Sequence, residues 1–480
     1  MREIAENRTY AIHPGVAQAG RTQAGAAFQN AVDEECSGFW VEVMRFALQG
    51  EEQEQGAMVV RAGLSGAPYL MRLQRWEAAS ALLERVGQRD KAPSTLAAIL
   101  PLLRRIADAT QGSPRGLIDA GVLAITLSDA GRIAEAEAMM RETIQAAVPL
   151  EQFQTASAVA GDLINLLAQT GRTNDALALI DKKKEYTQRA GLGPWTQLSD
   201  EGHRLQILEA LGKYEEVLGR VEELRKTMRD LAPGEHEAVN PWNVRETMLG
   251  VGHSAAARLE KSEAALSLNR ENLESKQNRG AQPLEIARAK FNNYGQLLEL
   301  KRFPEVQQLL QECRSAFEDA GYTDGLQAVF SALASLEGRI GNTGQSVHHE
   351  RTALRYTYVI GDPENCAISH FNLATYLMRT SAPPETALAH RLAAALIELQ
   401  TSSGGLAMTL DALARHLTRL APTPPLPRDF DHLCEIVEQV EGVRFRELFD
   451  RLPKENAATG DEALQRVLAL VEEIRKKQNS

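Results

Sequence analysis

A short turn motif that returns at near-constant intervals is the feature that most constrains the fold of this 480-residue chain. The motif is G-K-Y-E-E-V from Gly212, G-R-I-A-E-A from Gly131 and G-R-T-N-D-A from Gly171. Weaker copies begin at Gln74, Glu260, Lys301 and Gly341, and a last one follows Pro383. From Gly131 to Gly341 the copies are almost evenly spaced apart from one longer step, between Gly212 and Glu260, and such spacing indicates a repeat architecture.

Each repeat is predicted to be a pair of helices on either side of the turn. Around Gly212 the apolar residues are Leu205, Leu208 and Leu211 before the turn, and Val217, Leu218, Val221 and Leu224 after it. Apolar residues three or four apart are typical of amphipathic helices. Glycine at the break suits a left-handed helix cap. An aromatic residue two positions on (Tyr214, Phe303, Trp76) and a small one five positions on (Ala136, Ala176, Ala265) would let the two helices pack closely.

This combination of a turn, an aromatic residue and a small residue resembles the tetratricopeptide repeat. The resemblance covers residues 59–420 and implies an all-α chain, a right-handed α-solenoid of stacked antiparallel helix hairpins. The usual period of that family is about 34 residues. Because the period here is longer, this chain is similar to the members with long repeats, such as the kinesin light chain. HEAT and armadillo repeats, whose periods start at about 40 residues, remain an alternative. The stretch 92–130 does not fit one clean unit.

The two ends of the chain differ from the repeats. Residues 1–58 are predicted to be a helical segment, in which TYAIHPGVAQA resembles the tail of a winged-helix element. That element precedes the repeat arm in signal-transduction ATPases of the STAND class, yet no Gly-x4-Gly-Lys-Ser/Thr phosphate-binding motif occurs. Residues 421–427 form a Pro-rich linker, and residues 428–480 are predicted to be helices that cap the last repeat.

Charge and cysteine content exclude several classes of function. The formal net charge is −11 and no long basic run occurs, which argues against direct nucleic-acid binding. The four cysteines (Cys36, Cys313, Cys366, Cys434) are scattered, so no metal site and no disulfide framework is predicted. Neither a secretory signal nor an apolar run long enough to cross a membrane is present. We therefore expect a cytoplasmic protein with reduced thiols and no cofactor.

Catalytic motifs are also missing. His348 and His349 are adjacent, so on a helix they point about 100° apart and cannot share a metal ion. His236-Glu237 lacks the second histidine of a zinc-binding HExxH motif. Cys366 and a half-exposed His370 are one helical turn apart, and with Cys434 they are the residues that a hydrolase alternative would use. The expectation is that the chain is not an enzyme.

What remains is a binding surface. In a solenoid the first helix of each hairpin lines the concave side, where polar residues indicate a ligand. The candidate binding residues are His203, Arg204, Asn243, Arg245, His253, Asn292, Asn293, His370 and Asn372. Asn pairs with an extended backbone, and Arg or His holds a carboxylate. The leading hypothesis is a scaffold or sensor module that binds a protein or peptide in this groove. The alternative is a small-molecule-sensing arm of a STAND-type regulator.

Overall fold

The computed structural model describes residues 2–4, 9–11, 19–20, 23–48, 53–419 and 426–479. Two short strands, β1 (Arg2–Ile4) and β2 (Thr9–Ala11), pair antiparallel at the N-terminus, so this part of residues 1–58 is not helical as expected. Most of the winged-helix-like motif, residues 12–18, lies outside the described residues. Within those described, none of the helices has both the length and the hydrophobicity needed to cross a bilayer.

The helices form two compact units, Met1–Met248 and Leu249–Ser480, a division that the sequence did not reveal. In the first unit each helix packs against the next one along the chain. Its helices are α1 (Ala26–Leu48), α2 (Gln53–Arg72), α3 (Trp76–Arg89), α4 (Pro93–Thr110), α5 (Pro114–Asp129), α6 (Ile133–Ala147), α7 (Phe153–Gln169), α8 (Thr173–Arg189), α9 (Pro194–Ala210) and α10 (Tyr214–Asp230). The division itself falls within α11 (Pro241–Arg258).

In the second unit consecutive helices also pack together from residue 303 to residue 419, whereas the helices Phe430–Glu441 and Gly460–Asn479 pack against the helix Pro384–Gln400. Its helices are α12 (Ser262–Asn278), α13 (Pro283–Phe291), α14 (Tyr294–Glu299), α15 (Phe303–Asp319), α16 (Thr323–Ile340), α17 (Thr343–Ile360), α18 (Pro363–Leu377), α19 (Pro384–Gln400), α20 (Leu406–Arg419), α21 (Phe430–Glu441), α22 (Phe445–Arg451) and α23 (Gly460–Asn479). The prediction of an all-α architecture built from stacked helix hairpins is confirmed within each unit, apart from the β1–β2 pair.

The predicted left-handed backbone is present at the first residue of all seven numbered copies of the turn motif. The φ angles are 57° at Gln74, 76° at Gly131, 77° at Gly171, 74° at Gly212, 58° at Glu260, 57° at Lys301 and 99° at Gly341. At Gly212 the following amide closes the helix, because Lys213 N donates to Leu208 O at 3.0 Å. Lys301 makes the same cap without glycine, with Arg302 N donating to Leu297 O at 2.9 Å. These bonds satisfy carbonyls that a helix end would leave unpaired.

A second set of left-handed turns, which we did not predict, lies halfway between the first. Its members are Glu151, Gly191, Gly280, Gly321 and Gly361. They join the second helix of one hairpin to the first helix of the next. The chain therefore reverses at near-equal intervals, at residues 131, 151, 171, 191 and 212. The turn within a hairpin and the turn between hairpins have the same left-handed backbone conformation.

The position five residues after each turn is buried. Ala136, Ala176 and Ala265 are there, and each has 0% of its surface exposed. Valine takes the same place at Val217 and Val306, again with 0% exposed. The position is therefore buried whether alanine or valine occupies it, and the role of a small residue in close helix packing stays a prediction.

Two insertions explain the irregular steps of the repeat. Helix α4 has no hairpin partner of its own, which is why the stretch 92–130 did not fit one unit. The longer step, from Gly212 to Glu260, contains a non-helical loop, 231–240, between α10 and α11. Glu237 fastens this loop to the start of α9, where its Oε1 accepts from Trp195 N at 3.0 Å and its Oε2 from Thr196 N at 2.8 Å. A carboxylate suits this place because the first amides of a helix lack partners.

The C-terminal helices surround one buried helix. From Thr386 to Gln400 every residue of α19 is buried, and its apolar side chains join a cluster with those of α20, α21, α22 and α23. Helices α21, α22 and α23 thus pack around α19, and their role as a cap of the repeats stays a prediction. Of the predicted linker 421–427, only residues 426–427 lie within the described part of the chain.

The turn geometry predicts opposite effects for two substitutions. Gly212→Ala should lower the free energy of unfolding by about 1 kcal/mol, because alanine is strained at positive φ although no atom lies within 4 Å of the added Cβ. Lys301→Gly should raise it by about 0.5 kcal/mol, since it relieves strain at a φ of 57°. Urea unfolding followed by circular dichroism measures both. A loss of stability in Lys301→Gly would contradict the prediction.

Candidate functional site

Two of the predicted binding residues are buried and cannot face a groove. His253 is 7% exposed, and its Nδ1 lies 3.0 Å from the Ala265 carbonyl oxygen. His370 is 0% exposed rather than half-exposed, and its Nε2 lies 2.8 Å from the Tyr358 hydroxyl. The prediction that these histidines are available to a partner is wrong, because each lies on the inward face of its helix and makes contacts within the chain.

Four further candidates lie in the first unit. Arg245 donates from Nη2 to the Met228 carbonyl oxygen at 2.6 Å and lies over the Trp195 ring, so it is held within the unit. His203 is half-buried, and burial lowers its pKa. Arg204 forms a 3.3 Å ion pair with Asp181. Asn243 is exposed, and its binding role stays a prediction.

Asn292 and Asn293 are not in the middle of a helix, as their pattern indicated. Helix α13 ends before them and α14 begins after them, in accord with the weak helix propensity of Asn. Asn293 is structural, because its Oδ1 accepts from Asn269 Nδ2 at 2.8 Å. The same Nδ2 donates to the Ala289 carbonyl oxygen at 2.7 Å. Asn292, in contrast, is exposed and has no such bond among the described residues.

Asn292 lines a cavity of about 360 Å³ in the second unit. The walls come from α12, α13, the end of α15 and the start of α16. The lining residues are Asn272, Lys276, Glu285, Arg288, Ala289, Phe291, Asn292, Phe317, Tyr322, Asp324, Gly325 and Ala328. This volume is within the range of binding pockets in proteins, and it is where the structure brings a predicted residue together with other polar groups.

Some charged side chains of this cavity form ion pairs within the chain, and others do not. Glu285 accepts from Lys276 Nζ at 2.6 Å and also pairs with Arg279. Burial alone would raise the pKa of Glu285, but the hydrogen bond from Lys276 and then that from Arg279 outweigh it and lower the pKa. Glu285 is thus ionised and already neutralised by its neighbours.

Arg288 provides the unpaired cation of the cavity. It is exposed and forms no ion pair with another described residue, and its Cζ lies 5.4 Å from the centre of the Tyr322 ring. Stacking on an aromatic face fixes the guanidinium plane while leaving its N–H groups available. A carboxylate or a carbonyl oxygen entering the cavity would find these donors.

Asn272 is the residue that sequence reasoning missed. It is 7% exposed, and its Oδ1 is buried without a hydrogen-bond donor among the described residues. An unsatisfied acceptor of this kind costs about 1–3 kcal/mol. Asn272 lies on α12, the second helix of its hairpin, whereas the sequence search considered first helices only. In the sequence, the signal that could have pointed to Asn272 is a pair of asparagines, Asn269 and Asn272, one helical turn apart in SLNREN.

The thiols do not have the chemistry of a catalytic site. Burial raises the pKa of Cys366 and that of Cys434 to about 12, so both are protonated at neutral pH, whereas a nucleophilic cysteine needs a lowered pKa. Burial also lowers the pKa of His370 well below its ordinary value. Among the described residues no group of three His, Cys, Asp or Glu side chains is placed to hold a metal ion.

The two adjacent asparagines allow a matched test. Asn293→Ala should lower the free energy of unfolding by about 1–2 kcal/mol, because it leaves the buried Asn269 amide with one partner fewer. Asn292→Ala should change it by less than about 0.5 kcal/mol, as is usual for an exposed position. Chemical denaturation of the two variants side by side makes the comparison. Equal losses would show that Asn292 is structural as well.

Asn372, the last of the nine, is half-buried near a buried acid, Glu350. Burial raises the pKa of Glu350 to about 7, and nearby Ser369, Ser331 and Asn372 only partly offset this. The folded state therefore holds a proton that the unfolded state releases at its ordinary pKa of 4.5. Stability from this group is present below pH 4.5 and is lost as the pH rises towards 7.

A neutral isostere tests this assignment. Glu350→Gln should remove the decline between pH 5 and pH 8, and at pH 8 the variant should be more stable than the unaltered chain by about 2–3 kcal/mol. Urea midpoints at the two pH values, measured for both proteins, give the result. An unchanged pH dependence in the variant would contradict the burial of an uncharged Glu350.

Comparison with known proteins gives likenesses of structure only. No protein-family model matches the chain, and no curated protein matches it. A STAND signal-transduction ATPase with a tetratricopeptide repeat sensor, from Pyrococcus horikoshii, is similar at a TM-score of 0.45 and 12% identity, over 97% of this chain and 57% of that one. This chain thus spans little more than half the length of that protein.

Two further structures are similar over most of both chains. The Cut9–Hcn1 hetero-tetramer of the APC/C has a TM-score of 0.36 and 10% identity, over 91% of this chain and 91% of that one. Yeast Tom70 has a TM-score of 0.31 and 11% identity, over 89% of this chain and 97% of that one. Each is a protein to which this chain is similar, and none supplies a partner or an activity.

Proposed function

We propose that this chain is a non-enzymatic binding module whose second unit holds a peptide segment of another protein in the Asn272–Asn292 cavity. The unsatisfied Oδ1 of Asn272, beside the unpaired guanidinium of Arg288, is the observation that carries the proposal. A folded protein rarely leaves a buried acceptor without a donor, and a ligand that brings a donor into the cavity would satisfy it.

A peptide fits the chemistry of this cavity better than an apolar ligand does. A peptide backbone offers both N–H and C=O groups, and the side-chain amides of Asn272 and Asn292 can form hydrogen bonds with both. Arg288 can bind a carbonyl or a carboxylate of the peptide, while Asp324, exposed and without an ion pair among the described residues, can receive a basic side chain. Phe291, Phe317 and Tyr322 supply apolar contact in the same walls.

The test begins with selection of binding peptides from a random peptide-display library on the full chain. The selected peptide is then titrated by calorimetry against Asn272→Leu, Asn292→Ala and Arg288→Gln. Each variant should weaken binding by about 1–2 kcal/mol, which is about tenfold, since each removes one polar contact. Their melting temperatures should not fall, because Leu at position 272 removes an unpaired acceptor.

Arg339→Gln is the matched control, because Arg339 is an exposed cation of the same unit that pairs with Glu299 away from the cavity. It should bind the peptide as the unaltered chain does. Selection of no peptide, or of peptides that bind all four variants equally, would refute the proposal. A small molecule that binds the cavity in place of peptides would favour the alternative of a small-molecule-sensing arm.

A further inference from the structure

We propose a second binding site, for a small amphipathic anion, in a cavity of about 430 Å³ at the C-terminal end of the second unit. The ligand class is a molecule with one phosphate or carboxylate head and a short apolar chain. The lining residues are Arg355, Tyr358, Val359, Gly361, Gly442, Val443, Arg444, Glu447, Leu448 and Arg451. They belong to the end of α17, to α22 and to the turn that precedes α22, and none lines the Asn272–Asn292 cavity.

The charge of this cavity favours an anion. Its walls hold three arginines and one acid, Glu447, in a chain whose formal net charge is −11. Glu447 is shared, because Arg444 Nη1 lies 3.3 Å from it and Arg451 pairs with it too. Arg355 has no carboxylate partner among the described residues, since Nε donates to the Glu441 carbonyl oxygen at 3.2 Å. An anion would complete this set, as guanidinium groups bind phosphate and carboxylate in bidentate fashion.

The apolar part of the cavity gives the ligand its second property. Val359 is 77% exposed, the most exposed of the large apolar residues in the described part of the chain. It lies beside Tyr358, Val443 and Leu448 in the cavity wall. Removing an exposed apolar side chain from water stabilises a complex, so an alkyl chain laid across Val359 would add to the attraction of the head group.

The floor of the cavity is held rigidly by buried polar groups. The Tyr358 hydroxyl lies 2.8 Å from His370 Nε2, and His370 Nδ1 lies 2.8 Å from His390 Nδ1. His390 Nε2 in turn lies 3.4 Å from Glu441 Oε1. Glu441 is the residue whose carbonyl orients Arg355, so one chain of contacts positions both the ring and the guanidinium. Pre-organised groups lose little freedom when a ligand binds.

Calorimetry with octyl phosphate on the full chain tests the site. We expect octyl phosphate to bind, inorganic phosphate to bind at least about tenfold more weakly because it lacks the chain, and octyltrimethylammonium not to bind because its charge is reversed. Arg355→Gln and Val359→Asp should each weaken octyl phosphate binding by about tenfold or more. Both positions are exposed and Arg355→Gln gives up one hydrogen bond to a backbone carbonyl, so circular dichroism should be unchanged and the melting temperature should change little.

Arg302→Gln is the control for lost positive charge, since Arg302 is a partly exposed arginine of the same unit that pairs with Glu305. It should bind octyl phosphate normally. The proposal is overturned if octyl phosphate does not bind at millimolar concentration, or if inorganic phosphate binds as tightly as octyl phosphate does. It is also overturned if Arg355→Gln and Val359→Asp bind octyl phosphate as tightly as the unaltered chain does.

Co-sedimentation with phosphatidylglycerol vesicles separates a free ligand from a lipid head group. We expect no sedimentation, because the cavity encloses one short chain and the protein as a whole is acidic. Sedimentation that is lost in Arg355→Gln, together with no calorimetric signal from soluble octyl phosphate, would replace the small-ligand proposal with a membrane-surface site.

Discussion

The hydrogen bond that closes each helix at a left-handed residue is the interaction on which both units depend. At Gly212 and Lys301 alike, the amide after the turn donates to a carbonyl in the last turn of the preceding helix. This bond ends one helix, satisfies a carbonyl that would otherwise be unpaired and points the chain into the next helix. Because turns of this kind recur at about half the repeat length, consecutive helices return beside each other and bury their apolar faces together.

Such regularity leaves two kinds of polar group in the second unit. Some asparagines, such as Asn269, tie one helix to another, and the Asn269 Nδ2 donates to two acceptors. Asn272, one helical turn away, keeps its Oδ1 without a donor among the described residues. The difference is not in the residue type but in what the neighbouring helices place opposite it. A repeat fold can therefore carry a binding site where a buried amide that lines a cavity lacks a donor.

The end of the second unit uses buried polar groups in a different way. His370, the histidine that an enzyme hypothesis would select, is a neutral contact between a tyrosine and a second histidine. Burial lowers the pKa of His370 and with it the basicity that catalysis would need, yet the row of contacts that begins at Tyr358 and His370 leads to Glu441, whose carbonyl holds Arg355. The buried network and the cationic cavity above it are parts of one arrangement.

The sequence by itself determined the helical hairpins and their turns. These are local properties, since the backbone preference at Gly212 and the apolar spacing around it depend only on nearby residues. Tertiary structure alone decided which polar side chains remain free. Asn292 and Asn293 are neighbours with the same local propensity, yet only Asn293 meets Asn269 on another helix. The division at residue 248 and both cavities likewise depend on how the helices pack against one another, and no local pattern encodes them.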